Sequence, residues 1–356
     1  MLEPAPLTVL TGAAGWFGRA FLDAVRSPTA DHGPVGRDGR VRVLVERPAD
    51  VALVLDRLPS AEVHVGDVAD PAALVRLFDG AAGASVVHAA GVIHPVRLSD
   101  FDRVNAEGTR GVVEAAARAG VRRLVHVSSN SPLGVNAGRD DTFRADEPFR
   151  PYLGYGTSKM VAEIAVRAAQ DEGRLETVVV RPPWFYGPWQ PERQTRFFSL
   201  VAGGRFPLLG DGRQRRSMAY VDNLVQGVAL AERHPDAPGR TFWVADARPY
   251  EMGEILATVR RVLAQEGYVT AARQVRAPAL VGRLAEAADR RLQARGRYVA
   301  EVHVLGEMDK TIACDIRATR SVLGYDPRVT LEEGMRRSVR WCRDQGIELA
   351  PRKGAR

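Results

Sequence analysis

The sequence predicts an α/β protein built on a doubly wound parallel sheet, followed by a smaller C-terminal region. Three observations predict it. Short β-branched apolar runs alternate with longer Ala-rich helical patterns through the first two-thirds of the chain, as in a parallel sheet covered by helices. A glycine-rich turn joins the first apolar run to the first helical one. After Pro182-Pro183 the alternation stops, and the chain is rich in Arg, Gly and Pro up to Arg216.

The runs Leu7–Thr11, Val41–Val45, Glu62–Val65, Ser85–Ala89, Leu124–Ser128 and Thr177–Arg181 read as strands, each ending at small or polar residues. Ser27–Arg40, rich in Gly, Pro and Asp, reads as a surface loop of more than usual length. Met218–Val221 predicts a returning strand, and Asp222 opens an amphipathic helix. Further helices are expected over Tyr250–Gln265 and Leu331–Arg343, with a basic segment Arg276–Arg297 between them to which the sequence assigns no role.

Composition narrows the function classes. The 356 residues, 45% hydrophobic, suffice for two coupled cores. The net charge of +7 comes from Arg dispersed along the chain rather than from basic blocks interleaved with aromatics, which disfavours a nucleic-acid partner. Cys314 and Cys342 lack metal-ligand spacing, so neither a disulfide framework nor a metal site is expected, and a reducing cytoplasm fits. Met1-Leu2-Glu3-Pro4 has no basic segment leading into an apolar one, and no run reaches the roughly 18 apolar residues of a membrane span. A cytoplasmic protein with a small-molecule partner is the expectation.

The chemistry begins at Thr11-Gly12-Ala13-Ala14-Gly15-Trp16-Phe17-Gly18, between the first strand and the first helix. Gly12, Gly15 and Gly18 suit a tight turn, a close approach of backbone to pyrophosphate, and close packing of helix on strand. The N-terminus of the helix, with Trp16 and Phe17, then faces a diphosphate. At the end of the second strand the carboxylate of Glu46 can accept the adenine ribose hydroxyls, which favours NAD. Arg47 beside it could pair with a 2′-phosphate, which keeps NADP open, and a solvent-exposed ion pair is the alternative for both. Asp67 is placed to meet the adenine edge, or to cap the helix before Pro71.

Tyr155 and Lys159, four residues apart at the start of a helical stretch, share one face. A phenol with an ordinary pKa of about 10 becomes a usable base when a neighbouring ammonium lowers it by about 1–3 units. Ser129, at the carboxyl edge of the fifth strand, can hold a substrate oxygen beside Tyr155.

These residues occur in an order that resembles the extended short-chain dehydrogenase/reductases, the NAD-dependent epimerase/dehydratase family. The resemblance is carried by Thr11–Gly18, His88-Ala89-Ala90-Gly91, Asn105 in Val104-Asn105-Ala106-Glu107-Gly108-Thr109, Ser128-Ser129, Tyr155 with Lys159, Arg181-Pro182-Pro183-Trp184-Phe185-Tyr186-Gly187-Pro188, and Arg216-Ser217-Met218-Ala219-Tyr220-Val221-Asp222. It implies a Rossmann-like dinucleotide-binding domain at 1–182, with 217–246 returning to it, and a substrate-binding domain at 183–216 and 247–350. It also implies that Tyr155 is the acid/base, that Lys159 orients the nicotinamide ribose and lowers the Tyr155 pKa, that Ser129 polarises the reacting C–O group, and that Asn105 holds the active-site helix. Val68, Ala89, Ala90, Gly91 and Pro182 would line the cofactor, and Asn130 and Arg216 the substrate, with Arg216 on a nucleotide-sugar diphosphate. Arg193, Arg196, Arg205, Arg213 and Arg215 read singly as solvated charges.

Two departures bear on the reaction. Asn130 stands where the family's 4,6-dehydratases and uronate decarboxylases carry an acid, which disfavours elimination, and Leu133-Gly134 replaces an aromatic-Gly pair. The expected function is hydride transfer at a secondary alcohol or keto carbon, most naturally of a nucleotide sugar. A 3β-hydroxysteroid dehydrogenase-like enzyme for an apolar alcohol and a catalytically silent NAD(P) sensor are the rivals. By the same resemblance a homodimer would pair through Phe101–Arg118 and Gly156–Arg167.

Overall fold

The computed structural model describes residues 1–352. Its centre is a seven-stranded parallel sheet. Six strands are those expected, within a residue at each end: β1 (Leu7–Thr11), β2 (Arg40–Val45), β3 (Glu62–Val65), β4 (Ser85–His88), β5 (Arg123–Val127) and β6 (Glu176–Arg181). Residues in β1, β4 and β5 are almost wholly buried because helices cover both faces, which is why these strands read as continuous apolar runs. The seventh strand, Thr241–Trp243, adds to β6 at the edge and was not expected; three residues are too few to show a period.

The spatial order runs from the edge strand Thr241–Trp243 through β6, β5, β4, β1 and β2 to β3. The direction in which successive strands are added therefore reverses between β1 and β4, and the carboxyl ends of those two parallel strands open the crevice in which doubly wound sheets hold ligands. Thr11 and His88 are register partners at that point. They also bond side chain to side chain, Oγ1 to Nδ1 at 2.6 Å, and His88 Nε2 continues to Thr109 Oγ1 at 2.9 Å.

Beyond β6 three expectations are corrected. Met218–Tyr220 returns as a strand but pairs with Trp184–Tyr186 outside the main sheet, and its helix starts at Val221 rather than Asp222. The helix expected from Tyr250 starts at Met252, because Tyr250–Glu251 pairs antiparallel with Arg215–Arg216. The Ser27–Arg40 loop lies packed on the helix Val221–Arg233, where Arg37 donates to both oxygens of buried Glu232 at 3.0 and 2.6 Å. The basic segment Arg276–Arg297 supplies the helix Leu280–Ala294, which packs with Ala300–Glu307 against the long helix Leu153–Asp171. Among the described residues no helix is long and apolar enough to cross a membrane.

Candidate active site

The glycine turn leaves room for nothing but backbone. Gly12 has φ +76°, and a Cβ there would stand 2.7 Å from the Ala89 and Ala90 backbone. At Gly18 a Cβ would stand 2.6 Å from Ala13 Cα, so the helix Trp16–Arg26 rests directly on the turn. Gly15 caps that helix in extended conformation with no side-chain hydrogen bond, which leaves the first-turn N–H groups to an external acceptor. The Ala90 N–H is held by Thr11 Oγ1 at 3.3 Å. A cradle with its side-chain space removed and an uncapped helix end fits a dinucleotide diphosphate. Trp16 and Phe17 divide their work: the Trp16 indole donates to Pro188 O at 2.6 Å and packs 4.5 Å from the Phe185 ring, while the Phe17 ring belongs to the core.

At the end of β2, Glu46 is exposed, and Arg47 donates to both oxygens of Asp50 at 3.0 and 2.8 Å. The guanidinium that kept a 2′-phosphate open is thus already engaged. Asp67 accepts the Ala69 N–H at 2.8 Å and pairs with Arg103; the cap of the helix Pro71–Phe78 is Asp70, which accepts the Ala72 N–H at 2.9 Å. Val68 is buried against Gly108. Pro182 is buried, and Ala89 and Ala90 are half-buried beside exposed Gly91.

Asn105 lies in a π-helical stretch, Phe101–Glu107, of the kind that recurs at functional sites. Its buried amide accepts the Val92 N–H at 2.8 Å and donates to Val92 O at 2.9 Å and Ser158 Oγ at 3.0 Å. The loop after β4 is thereby fixed to the helix that carries Tyr155 and Lys159.

Ser129 and Tyr155 come together at the carboxyl edge of β5. Ser129 Oγ lies 3.3 Å from both the Ser131 hydroxyl and the Ser131 N–H. Burial raises the Tyr155 phenol to about 12, and the neighbouring Ser129 hydroxyl and the Arg193 guanidinium act against that rise. The Lys159 ammonium donates to Val127 O at 3.0 Å, and burial lowers its pKa to about 8 despite Glu163. Among the effects that oppose the rise of Tyr155, the Ser129 hydroxyl comes first and the Arg193 charge second.

Arg193, read from the sequence as a solvated charge, is one of the groups whose charge bears on Tyr155. It is solvent-accessible and, among the described residues, makes no ion pair or hydrogen bond. Its charge acts on Tyr155 and Tyr298 and, with burial first, holds His94 at about 3. His94 Nδ1 lies 2.7 Å from the Tyr298 hydroxyl. The Phe101 ring stands 5.8 Å from Tyr155 and 5.9 Å from Tyr298, so an aromatic wall surrounds the phenol. No local motif marks these residues, since they meet from loops and helices about 200 residues apart.

Arg216 is buried, donates to Glu307 O, and has an Nε without a partner. Asn130 is half-buried next to Ser129.

Residues 8–245 match the NAD dependent epimerase/dehydratase family. The chain is 46% identical to the uncharacterized protein y4nL of Sinorhizobium fredii over 96% of both chains. It is 30% identical to a 4-hydroxy-2-methyl-3-oxo-4-farnesyl-3,4-dihydroquinoline-1-oxide ketoreductase of Stigmatella aurantiaca, over 92% of this chain and 94% of the other. Among solved structures, a dTDP-glucose 4,6-dehydratase double mutant from Streptomyces venezuelae with NAD bound superimposes with a TM-score of 0.72 at 25% identity, covering 95% of this chain and 97% of that one. The chain belongs to the NAD-dependent epimerase/dehydratase family, the extended short-chain dehydrogenase/reductases, and its cofactor is NAD.

Proposed function

We propose that the chain catalyses hydride transfer at a secondary alcohol or keto carbon of a nucleotide sugar, as an epimerase or a sugar dehydrogenase/reductase, with Tyr155 as acid/base. The observation that carries the reading is the Tyr155 phenol beside Ser129, at the crevice that the glycine cradle opens. Gly12, Gly15, Gly18 and the backbone of Ala89–Gly91 would hold the diphosphate, Glu46 the adenine ribose, and Lys159 the nicotinamide ribose. When bound, NAD supplies the hydride acceptor and, reduced, the donor.

Ser129 donates to the substrate oxygen and fixes it beside the phenol. In the oxidative direction Tyr155 takes the hydroxyl proton as the carbinol carbon loses its hydride, and in the reductive direction it returns that proton. Burial holds the resting phenol protonated, and the Ser129 hydroxyl and then the Arg193 charge oppose that rise without cancelling it. Arg216, buried with one free N–H, offers its guanidinium to a diphosphate. The resemblance to a dTDP-glucose 4,6-dehydratase supports that substrate class, and Asn130 in place of an acid supports redox chemistry without elimination.

A second reading, an oxidoreductase for an apolar alcohol, is favoured by the aromatic wall of Phe101, Tyr155 and Tyr298 and by the farnesyl-quinoline ketoreductase relative. One panel separates the two: nucleotide sugars and apolar hydroxy or keto compounds incubated with NAD or NADH, with nicotinamide absorbance and product stereochemistry both followed. Epimerisation without net NADH, or turnover confined to sugar nucleotides, supports the first reading. Turnover confined to apolar compounds replaces it with the second, and cofactor binding without any turnover leaves a sensor. We further propose a cytoplasmic homodimer paired through Phe101–Arg118 and Gly156–Arg167, where Ile164 is 50% exposed. Light scattering that gives a monomer mass, or fractionation to a membrane, rejects the respective part.

A further inference from the structure

The catalytic helix begins badly. Its N-cap is Tyr152, whose side chain makes no cap hydrogen bond, and its first residue, Leu153, has φ +52°. A bulky residue at positive φ costs about 1–3 kcal/mol and persists only where its surroundings hold it there. The first-turn N–H groups of such a helix would ordinarily be met by a Ser, Thr, Asp or Asn at the cap. Here the acceptor for the Gly154 N–H is Gln293 Oε1, 3.2 Å away and 139 residues downstream on the helix Leu280–Ala294.

That amide is not free to turn. Gln293 Nε2 donates to Asp289 Oδ1 at 3.0 Å, which commits Oε1 to Gly154. The other oxygen of Asp289 lies 2.7 Å from His303 Nδ1, and Asp289 is completely buried. Burial works against charge on His303, but its bond to Asp289 and the field of Glu307 outweigh it and raise its pKa, so the carboxylate faces a protonated ring more readily than a free imidazole would allow. His303 is itself held between the Tyr152 and Tyr298 rings, at 5.4 and 5.5 Å. Gly154 has no Cβ to keep Gln293 off: one would stand 3.3 Å from Oε1 and 3.2 Å from the Phe101 ring.

We propose that Gln293, oriented by Asp289 and His303, is a positioning residue that caps the catalytic helix from outside and thereby sets where Tyr155 stands. Tyr155 follows Gly154 directly, so the hydrogen bond that fixes the first turn also fixes the origin of the phenol. The two helices over the cleft and the acid/base then take up their places together. The inference rests on the reading of Tyr155 as the acid/base, and its test does not use turnover.

The test uses the full chain carrying 3-fluorotyrosine, with the Tyr155 fluorine resonance identified as the one missing from Tyr155→Phe. Wild type, Gln293→Leu and Gln293→Glu are compared, with and without NAD, by fluorine NMR and by amide hydrogen exchange over residues 152–157. Loss of one hydrogen bond in Gln293→Leu is expected to speed exchange there about 5-fold and to shift or broaden the Tyr155 resonance, and Gln293→Glu, which keeps an acceptor but loses the donor to Asp289 and sets a carboxylate against it, is expected to recover only a small part of either. Unchanged exchange overturns the proposal. So does faster exchange with an unmoved Tyr155 line, which would make Gln293 a mere helix closure. Should Gln293→Leu fail to fold, Gln293→Asn, with the acceptor drawn back by one methylene, is read in the same way. Were Tyr155→Phe found fully active in the substrate panel, the role of Tyr155 would fall, while these two readouts would still report whether Gln293 places its side chain.

Discussion

The two walls of the cleft are made differently. On the cofactor side, contacts are backbone on backbone: Gly12 against Ala89 and Ala90, Gly18 against Ala13, a helix end left uncapped. On the side proposed for substrate they are long side chains meeting across the fold: His94 with Tyr298, Gln293 with Gly154, and Arg216 with Glu307. The first construction tolerates no added atom and suits a constant ligand. The second can be respecified one side chain at a time, and suits a family in which similar chains act on sugar nucleotides and on farnesylated quinolines.

That contrast can be broken at several points. The largest effect is expected at the chemistry itself: Tyr155→Phe should lower kcat by about 100- to 10,000-fold with NAD affinity unchanged by calorimetry, and retained turnover would remove Tyr155 from the mechanism. On the cofactor wall, Gly12→Ala combines a left-handed φ with a backbone clash, and NAD affinity should fall about 100-fold, from roughly 3 kcal/mol of strain; an unaltered dissociation constant would show that the cradle yields. Lys159 sharpens the boundary between the walls. Its folded pKa of about 8 lies below the ordinary 10.5, so between those values the unfolded chain binds the additional proton and stability rises with pH; below about 8 the whole penalty is present. Lys159→Met should flatten that rise, worth at most about 3 kcal/mol, in urea titrations across the window, and an identical slope in both proteins would refute the burial effect.

Smaller effects follow on the substrate side and at the adenine end. Removing a cation that opposes the rise of Tyr155, Arg193→Gln should lower oxidative kcat/KM at neutral pH about 10-fold and move the alkaline rise of the profile to higher pH; a profile that stays in place would show that the Arg193 charge does not bear on Tyr155. Arg47→Ala should leave the preference for NAD over NADP within about 2-fold, the range of a surface ion pair, because Arg47 is paired with Asp50. A larger change would mean that the pair opens for a 2′-phosphate.

Six strands and the glycine turn were legible in the sequence because each is local: a strand needs its own apolar run, and the turn its own glycines; the set Ser129, Tyr155, Lys159 and Asn105 was proposed from the order of its motifs along the chain. What only the tertiary structure decided was electrostatic and long-range. Four-residue spacing puts Tyr155 and Lys159 on one helix face, but does not show that the ammonium would turn to Val127 O or that burial would raise the phenol and lower the ammonium. The sequence equally marks a basic segment at Arg276–Arg297, but neither its helix Leu280–Ala294 nor that Gln293 within it would meet the first turn of another helix. Backbone conformation is fixed within a few residues of chain, whereas burial, and with it the pKa of every group in the cleft, depends on what the rest of the chain lays on top.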